Sequence, residues 1–363
     1  MTTIIKVNLR NPEIPKIKLA AKILREGGVV AFPTETVYGL GANALDEIAV
    51  KRIFEAKGRP QDNPLIVHVA DRKDVYKLAK KVPREAEKLI NKFWPGPLTL
   101  ILRKSRIIPS VTSGNLDTVA IRMPAHPVAL ALIKYSQVLI AAPSANISGK
   151  PSPTSAKHVI KDLSGKIDMI IDCGKTKIGV ESTVLDLTSG IPTILRPGSI
   201  TIEQLKKILG KVNMHIYDDC KVKPKILKSP GMKYKHYAPN ASVILIEGND
   251  KEFEEKIEEL IIQYKREEKK IGIITYNKNC RYKNFRIKFI GGTPATIAKN
   301  LFKALREFDE EKVDIIIVKD IDDRGLGAAI MNKLRKAAHK IIRKRSFITT
   351  KNWNKNKPSV IAN

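Results

Sequence analysis

Between residues 211 and 240 the chain loses the periodicity that a packed element needs, and this break divides it into two folding problems. The segment "KVKPKILKSPGMKYKHYAPN" (221–240) holds six lysines, three prolines and no acid, the composition of an extended linker. On either side of it, apolar runs alternate with helical periodicities. "IKLAAKILREGG" reads as a helix closed by Gly27 and Gly28, with "VVAF" after it as a buried strand. Turn-rich "PTETVYGLGANA" follows, then a helix from Asp46 to Lys57 with Asp46 as N-cap and Gly58 just past its end, then the strand "PLIVHV". Helices are expected at 74–82 and 84–93, broken by Pro83. The strands "LTLILRK", "TVAIR" and "VLIAA" come next, the last two bracketing a helix whose first position suits Pro127. "KIDMIID", "STVLDLT" and "PTILRPG" continue the rhythm up to a helix opened by a capping box, Thr201 to Gln204.

This interleaving predicts an α/β unit around a twisted sheet over 1–212. After the linker, placed at 213–240, strands "SVILIEG", "KIGIITY" and "VDIIIVK" alternate with helices near 250–266 and 294–308, and a last helix begins at "GLGAAIMNKLRKAAHK". That is a second, smaller α/β domain over 241–345. From Lys333 onward there are ten Lys/Arg and no acid, so the tail, 346–363, is expected to be a frayed basic extension.

The charge is the outlier of the composition: 66 Lys and Arg against 37 Asp and Glu, a formal +29 over 363 residues. Such a field favours polyanions and small anions without dictating a fold. A basic RNA- or tRNA-binding module is therefore an alternative reading, although aromatics are only 6% and no RNA-binding signature occurs. "MTTIIKVNLRNPEIPK" carries no apolar signal core and no run is long enough to cross a membrane. Cys173, Cys220 and Cys280 are far apart and form no CxxC pair. A zinc site or disulfide framework is not expected, and a reducing cytoplasm is.

Several residues could carry chemistry. Lys57 and Arg59 flank Gly58, and Pro60 biases Arg59 towards an extended backbone. Two cations on a stiff turn suit a phosphate chain, although a helix end favours cations in any case. His68 shares a strand face with Ile66 and Ala70, and Arg122 ends an apolar strand, where α/β sheets hold ligands. In "AAPSANISGKPSPTSAKH" a buried strand runs into a loop crowded with hydroxyls and amides that could wrap phosphate oxygens. No GxxxxGK[ST] motif occurs, and "GLGA" (325–328) reads as helix packing.

"PTETVYGLG" (33–41), "KGRPQDNPL" (57–65), "PSAN" (143–146), "ESTVLD" (181–186) and "LRPG" (195–198) stand in the order of the YrdC/Sua5 family. "SPGMKYKHYAP" (229–239) with a trailing α/β domain resembles its two-domain Sua5 branch. The resemblance implies a YrdC-like catalytic domain followed by a Rossmann-like Sua5 domain. It implies synthesis of L-threonylcarbamoyladenylate and pyrophosphate from L-threonine, bicarbonate and ATP, with Mg²⁺ on the ATP phosphates, no protein ligand to the metal assigned and no organic cofactor. The product would pass to a tRNA threonylcarbamoyltransferase of the KEOPS or TsaD type, for t6A modification at tRNA position 37, with weak tRNA binding as an accessory. Lys57, Arg59, Ser144 and Asn146 match the family's KxR/SxN tetrad. Arg59, Asn63, Thr118, Ser144, Ser152 and Arg196 would contact ATP. Thr36, His68, Arg122, the Ala142 backbone and Ser182 would hold threonine. Tyr234, His236 and Tyr237 would form a linker lid. A related carbamoyl-transfer domain of hydrogenase maturation would bring an acylphosphatase-like segment and paired cysteines, and this sequence has neither.

Overall fold

The computed structural model describes residues 1–215, 236–278, 281–282 and 284–343. Tyr234 and the tail 346–363 lie outside the described residues. Two sheets carry the fold. The first has eleven strands, in the order Thr3–Lys6, Met169–Asp172, Val30–Phe32, Gly39–Asn43, Ile140–Ala141, Ile66–His68, Thr118–Arg122, Leu98–Arg103, Thr183–Asp186, Thr193–Arg196 and Asn213–Met214. Parallel and antiparallel pairs alternate irregularly along it. The second has five, all parallel: Arg286–Phe289, Ile271–Thr275, Ile315–Lys319, Ser242–Glu247 and Lys340–Arg343. Parallel strands joined by helices have both faces covered, which is why "VILI", "IGII" and "IIIV" show no polar alternation.

Local signals set the ends of the elements. Asp46 accepts from the amides of Ile48 and Ala49, and Gly58 takes the left-handed conformation (φ 59°) that ends the helix Glu47–Lys57. Pro127 opens the helix Pro127–Ser136, and both bonds of the Thr201–Gln204 capping box form. One segment differs from its turn-rich reading. Gly39–Asn43 is a strand, paired antiparallel with Val30–Phe32. Its glycines serve close packing, since a Cβ on Gly41 would lie 2.7 Å from Ile140 Cγ2 and 2.8 Å from the Phe32 ring. The helix expected at 74–82 shrinks to Val75–Leu78 behind a 3₁₀ turn, while Pro83 becomes the residue that precedes the helix Arg84–Phe93.

The first sheet also runs past its expected edge: Asn213–Met214, placed in the linker on composition, pairs with Thr193–Arg196. The basic stretch from Lys333 does not fray at its start. Its first residues close the helix Leu326–Ala337, and Lys340–Arg343 pairs with Ser242–Glu247.

The domains meet through buried charge. Arg306, on the helix Pro294–Glu310, donates to both carboxylate oxygens of Asp162 (3.1 and 2.7 Å) and to the Pro151 carbonyl. Its Asp162 partner sits on the helix Ala156–Leu163 of the first domain. Pairing both ions compensates their lost hydration, and removing one leaves the other exposed to the full penalty. Arg306→Ala is expected to lower unfolding stability by about 3–5 kcal/mol, measured by denaturant titration; a loss below about 1 kcal/mol, the range of exposed pairs, would mean that this contact does not join the domains.

Candidate active site

The strands Ile66–His68 and Thr118–Arg122 lie side by side in parallel register, with Ile66 opposite Ala120 and His68 opposite Arg122. Side chains two apart share a face, so Ile66, His68 and Arg122 form the floor of a cavity. Its walls are Thr34, Thr36, Tyr38, Gly39, Ala142, Pro143, Ser144, Glu181 and Arg196, and the linker end adds His236 and Tyr237.

At the C-terminal end of this floor, the Arg122 Nη2 lies 2.7 Å from Glu35 Oε1, both side chains being almost wholly buried. The two are an ion pair without hydrogen-bond alignment, and Arg122 Nε donates to the Gly96 carbonyl at 3.3 Å. Glu35 belongs to a tight turn in which the Thr34 hydroxyl donates to the Val37 carbonyl and lies 2.8 Å from the Thr36 hydroxyl. His68 Nδ1 stands 3.1 Å from the Ile66 carbonyl. Burial first, and the Arg122 charge second, push His68 down to about 3, so the ring is neutral with a single acceptor nitrogen.

The other end is held by the cationic turn. Arg59 lines the cavity, and its Nη2 donates to the carbonyls of Asn63 and Pro64, both at 3.2 Å. Thr118 opens the neighbouring strand, four residues and roughly 13 Å along it from Arg122. His68 and Arg122 thus end this strand pair and Thr118 begins it, while Arg196 of the residues assigned to ATP donates to Ser182 of those assigned to threonine.

Lys57 stands elsewhere than its phosphate-binding reading required. Its ammonium is buried behind the cavity wall and donates to the carbonyls of Ser144 and Asn146, each at 2.5 Å. Burial, reinforced by Arg59, pushes its pKa well below the usual lysine value. Lys57 therefore shapes the loop that presents Ser144. Asn146 also turns inward, donating to the carbonyls of Ile147 and Lys150. Ser182 and Ser152 stand one layer back from the cavity. Ser182 lies 2.7 Å from the Thr99 hydroxyl and accepts from Arg196 Nη2 at 3.0 Å, while Ser152 donates to Glu181 at 2.5 Å.

Thr36, His68, Arg122, Ala142, Ser144, Arg59, Arg196, His236 and Tyr237 are therefore brought together around one space. Tyr237 is both an anchor and a wall, because it packs on Phe302 of the second domain at 5.1 Å between ring centroids. Two carboxylates, Glu35 and Glu181, received no role from the sequence. Glu35 is the only charge between Gly27 and Leu45, and an isolated acid in an apolar stretch must find a cation.

Comparison with known proteins gives this arrangement a family. A model of the Sua5, YciO and YrdC group, described as "Telomere recombination", matches residues 22–198. Another, described as "Threonylcarbamoyl-AMP synthase, C-terminal domain", matches residues 200–339. A threonylcarbamoyl-AMP synthase of Pyrococcus abyssi is 56% identical over 340 residues, 93% of this chain and 98% of that protein. This chain belongs to the Sua5/YrdC family. A synthase of the same description from Bacillus subtilis is 52% identical over 89% of this chain and 93% of its own length. The crystal structure of Pyrococcus abyssi Sua5 complexed with L-threonine superposes with a TM-score of 0.88, at 54% identity, covering 94% of this chain and 99% of that one. Escherichia coli YciO, at 26% identity and a TM-score of 0.50, covers 54% of this chain and 95% of its own, so the likeness includes the first domain's fold alone.

Two outcomes test the site. Because His68 stays neutral down to about 3, threonine affinity is expected to show no histidine step between about pH 5 and 8; an inflection near the ordinary histidine pKa that vanishes in His68→Gln would contradict this placement. Lys57→Ala strips donors from two buried carbonyls and is expected to cost about 1–3 kcal/mol per group, read as a lower melting temperature, whereas Arg59→Ala should lose adenylate synthesis. A Lys57→Ala variant that melts with the unaltered chain would put Lys57 back among cavity groups.

Proposed function

We propose that the chain is a threonylcarbamoyl-AMP synthase whose cavity binds L-threonine at its His68–Arg122 end and the ATP phosphates towards Arg59 and Arg196. The observation that carries this reading is a single cavity lined by Arg59 and Arg196 as well as by His68 and Arg122, the last two side by side at the ends of a parallel strand pair. The C-terminal ends of such strands are where α/β sheets receive ligands. A threonine carboxylate would be drawn to Arg122, whose planar guanidinium can share its charge between Glu35 and an incoming carboxylate as an ammonium could not. Thr36 and neutral His68 offer partners to the threonine hydroxyl. Valine would leave those partners unpaired, which is the costly side of discrimination.

In this reading the threonine ammonium group gives up one proton, and the resulting amine joins bicarbonate to give a carbamate and water. A carbamate oxygen then attacks the α-phosphorus as the bond to the β-phosphate breaks and pyrophosphate leaves. The reacting anions repel, so the protein's contribution is fixed positive charge and alignment. Arg59 and Arg196 provide that charge, while Lys57 holds the Ser144 loop in place behind them. Mg²⁺ would arrive on the triphosphate and neutralise part of its charge.

Among the described residues no helix is long and apolar enough to cross a membrane. The net charge of +29 supports weak tRNA contact during hand-off to a transferase, of a kind that falls steeply with salt. A binding module without catalysis is not favoured, since nothing in it would require the neutral histidine, the buried Glu35–Arg122 pair and the lined cavity together.

The test is incubation with ATP, L-threonine and bicarbonate. Pyrophosphate release that needs both threonine and bicarbonate, with a labile adenylate formed in step, is the expected result. Release that ignores threonine would overturn the proposal.

A further inference from the structure

The helix Leu326–Ala337 belongs to the second domain, yet its Lys333 is wholly buried (0% exposed) against the first. The ammonium donates to the Pro197 carbonyl at 2.6 Å and lies 4.0 Å from Glu181 Oε2. Both acceptors belong to the cavity wall, because Glu181 lines it and Pro197 follows Arg196, which also does.

Glu181 Oε1 accepts from Ser152 at 2.5 Å, while its Oε2 is buried without a hydrogen-bond donor. A carboxylate left uncompensated in that wall would repel any triphosphate entering beside it. Lys333 is the ammonium nearest to that oxygen, and Arg196, which lines the same cavity, is engaged with Ser182 through both Nε and Nη2.

We propose that Lys333 is a positioning residue for the active site: it compensates Glu181 and fixes the Pro197 carbonyl, so that the second domain completes the ATP end of the cavity. The inference rests on the ATP-binding reading given above. Lys333 touches no reacting atom in this account. It acts through Glu181 and the Arg196–Pro197 backbone, which makes a purely tethered second domain insufficient for catalysis.

The experiment compares ATP and threonine affinities by calorimetry for the wild-type chain, Lys333→Met and the double variant Glu181→Gln/Lys333→Met, with pyrophosphate release measured in parallel. Lys333→Met is expected to weaken ATP binding by about tenfold or more, from the unmasked carboxylate, while threonine affinity stays within about twofold. Removing the carboxylate as well is expected to restore most of the ATP affinity, a recovery that mere loss of packing would not give. Unchanged ATP affinity in a folded Lys333→Met variant overturns the proposal, as does a loss that the double variant fails to recover. If Lys333→Met does not fold, the double variant decides: folded with near wild-type ATP affinity supports the proposal, and folded with weakened affinity, or not folded, overturns it. A wild-type chain that binds ATP but releases no threonine-dependent pyrophosphate would sink the synthase reading while leaving this comparison intact.

Discussion

The buried pair between Arg122 and Glu35 is the constraint on which the site depends. A guanidinium at the end of an apolar strand, only 4% exposed, is tolerable only with a counter-charge and a carbonyl close by. Glu35 supplies the first and the Gly96 carbonyl the second. Meeting that need draws the turn of residues 33–36 over the strand ends, and with it Thr34 and Thr36. The Arg122 charge in turn helps to keep His68 neutral. One ion pair thereby sets the turn, the histidine's protonation and the polarity of that end of the cavity.

A second layer of cations organises the remaining walls without entering the cavity. Lys57 pulls two carbonyls of the Ser144 loop onto one ammonium, and Arg306 draws the Pro151 carbonyl and Asp162 against the second domain. The linker end is drawn in as well: the Ala238 amide donates to the Gly149 carbonyl at 2.9 Å and Tyr237 stacks on Phe302. Much of this chain's positive charge near the site is therefore structural. Net charge alone, read as affinity for polyanions, could not separate the ammonium groups that face ligands from those that hold backbone.

What the sequence revealed and what it hid follow the range of each interaction. Asp46, Gly58, Pro127 and the Thr201–Gln204 box act within one turn of chain, so their spacing announced them. The succession of strands along the chain and the position of Arg122 at a strand end were legible from apolar runs of sufficient length. Gly39–Asn43 was not, because its glycines answer to Phe32 and Ile140 on neighbouring strands, a contact with no local mark. Lys57 followed the same logic. Its spacing to Arg59 was visible, but its acceptors lie 87 and 89 residues away. Lys333 and Arg306 meet partners in the other domain, 136 and 144 residues away, and carry no local mark of it.

The central claim is that Arg122 anchors the amino-acid end of the cavity through its planar charge. Calorimetric titration of Arg122→Lys with L-threonine tests it most directly, with ATP binding as the internal control. Lysine keeps the positive charge but cannot be shared between Glu35 and a ligand carboxylate in the same plane. The account predicts a loss of threonine affinity of about tenfold or more with ATP binding retained, as expected when one charge-assisted contact of about 1.5–3 kcal/mol is lost. Threonine affinity equal to that of the unaltered chain would contradict it.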